Sequence, residues 1–202
     1  MQKTLVKAGY HTVNLDYPSA RKSIEELAVD YIPPAIRKCN GYRPAKIHFV
    51  THSLGGIIVR AALKDDKPVN LGGVVMLSPP NGGSEVADVL KDRWYYLLLN
   101  GPAGQQLSTA VDSLPNRLGP VDYPVGIIAG DRYAFYDWWF SRFFHGANDG
   151  KVSVESTRLE GMVDFMIVHN SHSFIMNSER VRRETVYFLQ HGCFSHGITD
   201  NN

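Results

Sequence analysis

Residues 47–60 read Ile-His-Phe-Val-Thr-His-Ser-Leu-Gly-Gly-Ile-Ile-Val-Arg. The run Lys46 to Thr51 is apolar and of strand length, and Leu54 to Leu63 is apolar nearly all round. A strand and a helix of this kind are buried on both sides, as in the middle of a parallel sheet. Ser53 stands between them. A serine between a buried strand and a buried helix, followed by small residues, is the setting of a nucleophile elbow. Such a turn is very sharp, so the positions two before and two after the serine need to be small. Gly55 meets this need, and Gly56 lets the helix approach the sheet. Thr51 stands where a glycine is usual and is the one departure. The turn aims the backbone N–H of Leu54 at any oxyanion formed on Ser53, at the positive end of the following helix. The plainer alternative is that Ser53 only caps the helix, but a cap does not require His-Ser-Leu-Gly-Gly in an apolar strand–turn–helix.

Outward from this segment, strands alternate with helices. Leu5 to Tyr10 reads as a helix end stopped by Gly9, and His11 to Asp16 as a short strand. Ser23 and Glu26 make a capping box for a helix whose apolar face carries Ile24, Leu27, Ala28, Tyr31 and Ile32. Pro33-Pro34 is expected to break or kink it. Further strands are predicted at Gly73–Ser78, Val125–Ala129 and Val163–Val168. Ser84 to Leu99 reads as helical and Gly101 to Pro120 as irregular. A closing helix runs from about Ser178 to Gln190 with Gly192 just past its end. The alternation predicts one α/β domain over residues 1–202, with a mostly parallel sheet and helices on both faces.

Composition narrows the function classes. At 202 residues, 44% hydrophobic and 20% charged, the chain can bury a core of ordinary size. A net charge of +1 offers no general attraction for nucleic acid or an anionic membrane. No apolar run is long enough to span a bilayer, and Met1 begins no secretory pattern. These features predict a cytoplasmic protein without a nucleic-acid partner. Two cysteines imply no disulfide framework.

A serine hydroxyl is a weak nucleophile and needs a histidine to take its proton, and a carboxylate to orient that histidine. Downstream of Ser53, His169 and His172 compete as the base. Asp131, directly after the fourth predicted strand, competes with Asp149, set in Asn148-Asp149-Gly150. The His169 and His172 spacing also suits a metal, but no cysteine or carboxylate partner stands beside it in sequence. His52 reads as structural.

The segments Thr51-His52-Ser53-Leu54-Gly55-Gly56, Ser78-Pro79-Pro80-Asn81-Gly82-Gly83-Ser84 and Gly101-Pro102-Ala103-Gly104-Gln105-Gln106-Leu107 resemble bacterial lipase-like members of the α/β-hydrolase superfamily. Asn148-Asp149-Gly150-Lys151-Val152 and His169-Asn170-Ser171-His172-Ser173-Phe174 extend the resemblance, which runs in order from about Asn14 to Phe194. It implies cofactor-free esterase or lipase chemistry on a small-molecule or lipid ester, with the triad Ser53, Asp149 and His172, and no metal. Thioesterase, amidase and acyltransferase reactions would use the same residues; a non-catalytic remnant would keep only the scaffold. The resemblance also places a small cap insertion at about residues 82–120. It implies a strand ending in a His-Gly loop, carrying a second oxyanion donor, between His11–Asp16 and Lys46–Thr51. No such segment occurs, so the N-terminal strands are expected to be missing from a chain that starts late.

Two aromatic blocks suggest a substrate surface. Eight of twelve residues from Tyr133 to Phe144 are aromatic, and Trp94 to Leu99 reads Trp-Tyr-Tyr-Leu-Leu-Leu. Either block would serve equally well as core cover or as a pocket for an apolar acyl group.

Overall fold

The computed structural model describes residues 1–90, 93–134, 144 and 146–197, with the backbone alone for residues 94–99. Its centre is a four-stranded, wholly parallel sheet in the order β1-β2-β3-β4, comprising Ile47–His52, Leu71–Leu77, Val125–Gly130 and Asp164–Val168. These are four of the five predicted strands.

Alternation of side chains divides the core into two layers. Val74 and Met76 of β2, with Val125 and Ile127 of β3, face α2 (Ile24–Asn40) and α3 (Leu54–Asp65) through Ile24, Leu27, Ile57 and Leu63. Val75, Leu77 and Ile128 face the other way, onto Ile175 and onto Val181 and Phe188 of the closing helix. The short α1 (Gln2–Lys7) adds Leu5 to that side. Helices therefore cover both faces. At about 25 cal/mol per Å² of apolar surface, two such layers supply most of the drive to fold.

Two sequence expectations N-terminal to β1 are corrected. His11–Asp16 forms no strand. A parallel strand needs a hydrogen-bonding neighbour, and a groove of about 580 Å³ lies between this segment and β1. Ile47 and Ser53 donate to the carbonyls of Asn70 and Leu77, so residues 47, 49, 51 and 53 turn their backbone groups toward β2. By the alternation of a parallel ladder, the N–H and C=O groups of His48, Val50 and His52 point outward to this groove. Of the break or kink expected at Pro33-Pro34, the break does not occur: α2 runs through to Asn40 and starts from the expected Ser23–Glu26 capping box. The carbonyls that lose their donors belong to Val29 and Asp30, both exposed, where water can satisfy them, while Ile24, Leu27, Ala28, Ile32 and Ala35 hold the other face in the core.

Between β2 and β3 the described residues form three helices, α4 (Glu85–Leu90), α5 (Trp94–Gln105) and α6 (Leu114–Arg117). The region read as one helix is thus divided, and α5 is itself interrupted at Gly101, with φ 57° and ψ −160°. There the backbone passes so close to Ala20 that any side chain would collide with its carbonyl. Buried Arg60 of α3 ties this region down. Its guanidinium donates to the Asn81 side chain at 3.1 Å and to the carbonyls of Pro115 (3.1 Å) and Gly119 (2.8 Å). After β3 come α7 (Val154–Thr157), β4, a 3₁₀ turn at His172–Asn177, and α8 (Glu179–His191). Ser178 caps the start of α8, and Gly192, in the left-handed region at φ 81°, ends it.

Candidate active site

The turn from β1 into α3 carries the strain that the sequence pattern implies. Ser53 has φ 52° and ψ −128°, a conformation that costs a non-glycine residue on the order of 1–3 kcal/mol. Its N–H donates to Leu77 and its C=O accepts from Gly56, so the strained backbone is held at both ends. The side chain makes no capping bond to α3, which removes the helix-cap alternative. A side chain at Gly56 would press on Pro79 at 3.0 Å and on Met76 at 3.4 Å. Thr51 fits this crowded turn beneath Gly55, at the cost of a buried hydroxyl with no partner among the described residues. Leu54 is the first residue of α3, where a backbone N–H has no intrahelical acceptor.

Asp149 and His172 come together at the same end of the sheet. Gly150, at φ 95°, and the Asn148–Ser153 bridge form a tight loop after β3. In it the Asp149 carboxylate accepts from the N–H groups of Lys151 (3.0 Å) and Val152 (2.9 Å) through one oxygen. The other oxygen meets His172 Nδ1 at 2.7 Å. The Asp149 carbonyl also accepts from the His172 N–H at 3.0 Å. Asp149 is 1% and His172 8% exposed. Burial pushes the Asp149 carboxyl up, but the His172 imidazole, the Ser78 hydroxyl and the Val152 N–H together hold it below its ordinary value. Ser78 is itself buried at φ 44° and accepts from the Gly130 N–H at 3.3 Å. The Asp149 contact with Nδ1 leaves Nε2 as the nitrogen free to accept a proton. Ser53 Oγ and His172 Nε2 share no hydrogen bond in this structure; such contacts commonly tighten only when substrate is bound.

The alternative pair is complete as well. Asp131 Oδ1 and His169 Nδ1 lie 2.6 Å apart, but the imidazole is 81% exposed and the carboxylate 22%. The two histidines thus engage different carboxylates. Among the described residues no group of three His, Cys, Asp or Glu side chains is gathered for a metal ion.

Sequence reasoning treated His52 as structural and missed its contact. Its ring lies against that of His172, with centroids 4.7 Å apart, and its Nε2 is 3.0 Å from the His172 carbonyl. Burial, and then the nearby His172, lower its pKa to about 4. The available signal was its place, an imidazole at the last residue of the strand that delivers the serine.

No protein-family model and no curated protein sequence matches the chain. Its shape, however, matches solved structures. Over 85% of the chain and 77% of the other, it superposes on a Bacillus licheniformis lipase in mature form with a TM-score of 0.63 and 20% identity. The propeptide form of that lipase gives 0.68 and 24%, with the chain spanning 41% of its length. A Pyrococcus furiosus esterase gives 0.62 at 15% identity, covering 94% of this chain and 72% of the other. The chain has the α/β-hydrolase fold. Within the α/β-hydrolase fold of this chain, Ser53 follows β1, Asp149 follows β3 and His172 follows β4, so all three stand at the carboxyl ends of parallel strands. Ligands bind in the crevice at that end of an open α/β sheet.

The aromatic block falls largely on residues 135–143, which lie outside the described residues, as do the side chains of residues 94–99. Of its described members, Tyr133 is exposed and Phe144 buried. Among the described residues no helix is long and apolar enough to cross a membrane.

Proposed function

We propose that the chain is a serine hydrolase that cleaves carboxylic esters without a cofactor. Ser53 Oγ adds to the ester carbonyl carbon as His172 Nε2 removes its proton, and the carbonyl π pair moves to oxygen. The Leu54 N–H donates to that oxyanion. Collapse of the tetrahedral intermediate breaks the C–O bond, and His172 returns the proton to the leaving alkoxide. Water then attacks the acyl-serine carbonyl with His172 again as base; collapse breaks the bond to Ser53 Oγ, which takes the proton back from His172, and the acid is released. Asp149 keeps Nδ1 protonated and stabilises the imidazolium.

The observation that carries the reading is the strained Ser53 at the strand–helix turn, at the same sheet end as a buried His172–Asp149 pair. The exposed His169–Asp131 pair is a poorer base system, since solvent screens the carboxylate that would stabilise its charge. Lipases and esterases among the similar structures support ester chemistry. The same proposal includes an apolar acyl group, suggested by the aromatic blocks of the sequence, and a cap at about residues 82–120, with which the helices α4–α6 are consistent. With p-nitrophenyl esters, hydrolysis is expected to favour longer acyl chains and to fall on the order of 10⁴-fold or more in Ser53→Ala and His172→Ala. Undiminished turnover in Ser53→Ala would refute the assignment.

A further inference from the structure

His172 is anchored through every polar group except Nε2. Its N–H donates to the Asp149 carbonyl, its Nδ1 meets the Asp149 carboxylate, and its own carbonyl faces His52 Nε2 at 3.0 Å. A carbonyl can only accept, so His52 donates from Nε2 and carries its proton there. Two of these anchors come from the loop after β3. The third comes from the residue covalently joined to Ser53.

We propose that His52 is a positioning residue for the base: by donating Nε2–H to the His172 carbonyl and packing against its ring, it sets the position of the imidazole relative to the Ser53 hydroxyl. The inference rests on the assignment of Ser53 and His172 as nucleophile and base. Its physical basis is that one peptide unit joins residues 52 and 53. Because β1 delivers both, a displacement of the strand end carries the nucleophile and one support of the base together. The opposite arrangement is seen at His169, whose ring is 81% exposed. A misplacement of about 1 Å between reacting groups is enough to cost about 10²-fold in rate, so one hydrogen bond at this point has leverage on kcat.

Two substitutions separate the donor from the ring. His52→Phe keeps a planar ring but cannot donate; His52→Gln loses the ring but presents an amide N–H. With p-nitrophenyl butyrate, His52→Phe is expected to lower kcat roughly 10- to 100-fold with KM within about twofold of wild type. His52→Gln should recover most of that loss. The proton NMR resonance of His172 Nδ1–H supplies a readout independent of turnover, and it should broaden in His52→Phe and stay sharp in His52→Gln. Wild-type kcat and a sharp resonance in His52→Phe would overturn the proposal, whether or not its melting temperature had fallen. If wild-type protein hydrolyses no ester, the functional reading fails, and the resonance still decides whether His52 fixes His172.

Discussion

At the scale of single residues, strain and charge are spent at the same place. Ser53 occupies a backbone conformation that glycine adopts readily and serine does not. The elbow reading therefore predicts opposite changes in stability and activity. Ser53→Gly should raise stability by about 1 kcal/mol, as relief of strain exceeds the added chain entropy of glycine, while abolishing turnover. Thermal melting checks the first part; a lower melting temperature would show that the serine side chain stabilises the turn. The pH dependence of stability follows from His52 and Asp149. The folded-state pKa of His52 is lowered from 6.5 to about 4, so between these values the unfolded chain binds a proton that the folded chain refuses. Stability therefore falls as pH drops from about 6.5 to about 4, by on the order of 3 kcal/mol for this residue. Asp149, with a lowered pKa, contributes stability above its ordinary value near 4, which is lost at still lower pH. Urea titrations should show a shallower decline between pH 6.5 and 4 in His52→Gln than in wild type; identical slopes would contradict the lowered His52 pKa.

At the scale of elements, β1 is, like β4, an edge strand of the described sheet. Among the described residues it pairs with β2 on one side only, and its other side faces the groove toward residues 10–15. Alternate backbone groups are thus paired and open. Hydrogen exchange should reflect this, with the amides of Val50 and His52 exchanging at least about tenfold faster than those of Phe49 and Thr51. Equal protection would mean that a further hydrogen-bonding partner covers the edge. The same strand explains why His11–Asp16 misled. Its alternation of apolar and polar residues suits a strand, yet the pattern describes only which side chains seek burial. Whether a ladder forms depends on a neighbour at hydrogen-bonding distance. The break expected at Pro33-Pro34 fails for the converse reason: the local rule forbids two hydrogen bonds, and tertiary packing of the apolar face of α2 outweighs them at a solvent-facing position.

At the scale of the whole molecule, what could be read in the chain is what is local. The strand–Ser53–helix turn, the capping box at Ser23 and the Gly192 stop all depend on residues within one or two turns of each other, and each stands where its spacing indicates. The pairing of acid with base is not local. Asp131, Asp149, His169 and His172 are all credible in sequence, and the fold makes two pairs of them, distinguished by burial and by the further hydrogen bonds that hold Asp149 and His172. The contact of His52 with His172 spans 120 positions and leaves no periodic trace. The parallel sheet gathers these distant residues, because each strand ends at the same edge and releases its loop there. The central claim is that Ser53 is the activated hydroxyl at this edge. It is tested most directly by treating the protein with a fluorophosphonate and mapping the adduct by mass spectrometry. The account predicts a single phosphonylated site, on Ser53, whose formation is abolished in His172→Ala; an adduct on another residue, or none in folded wild-type protein, would contradict it.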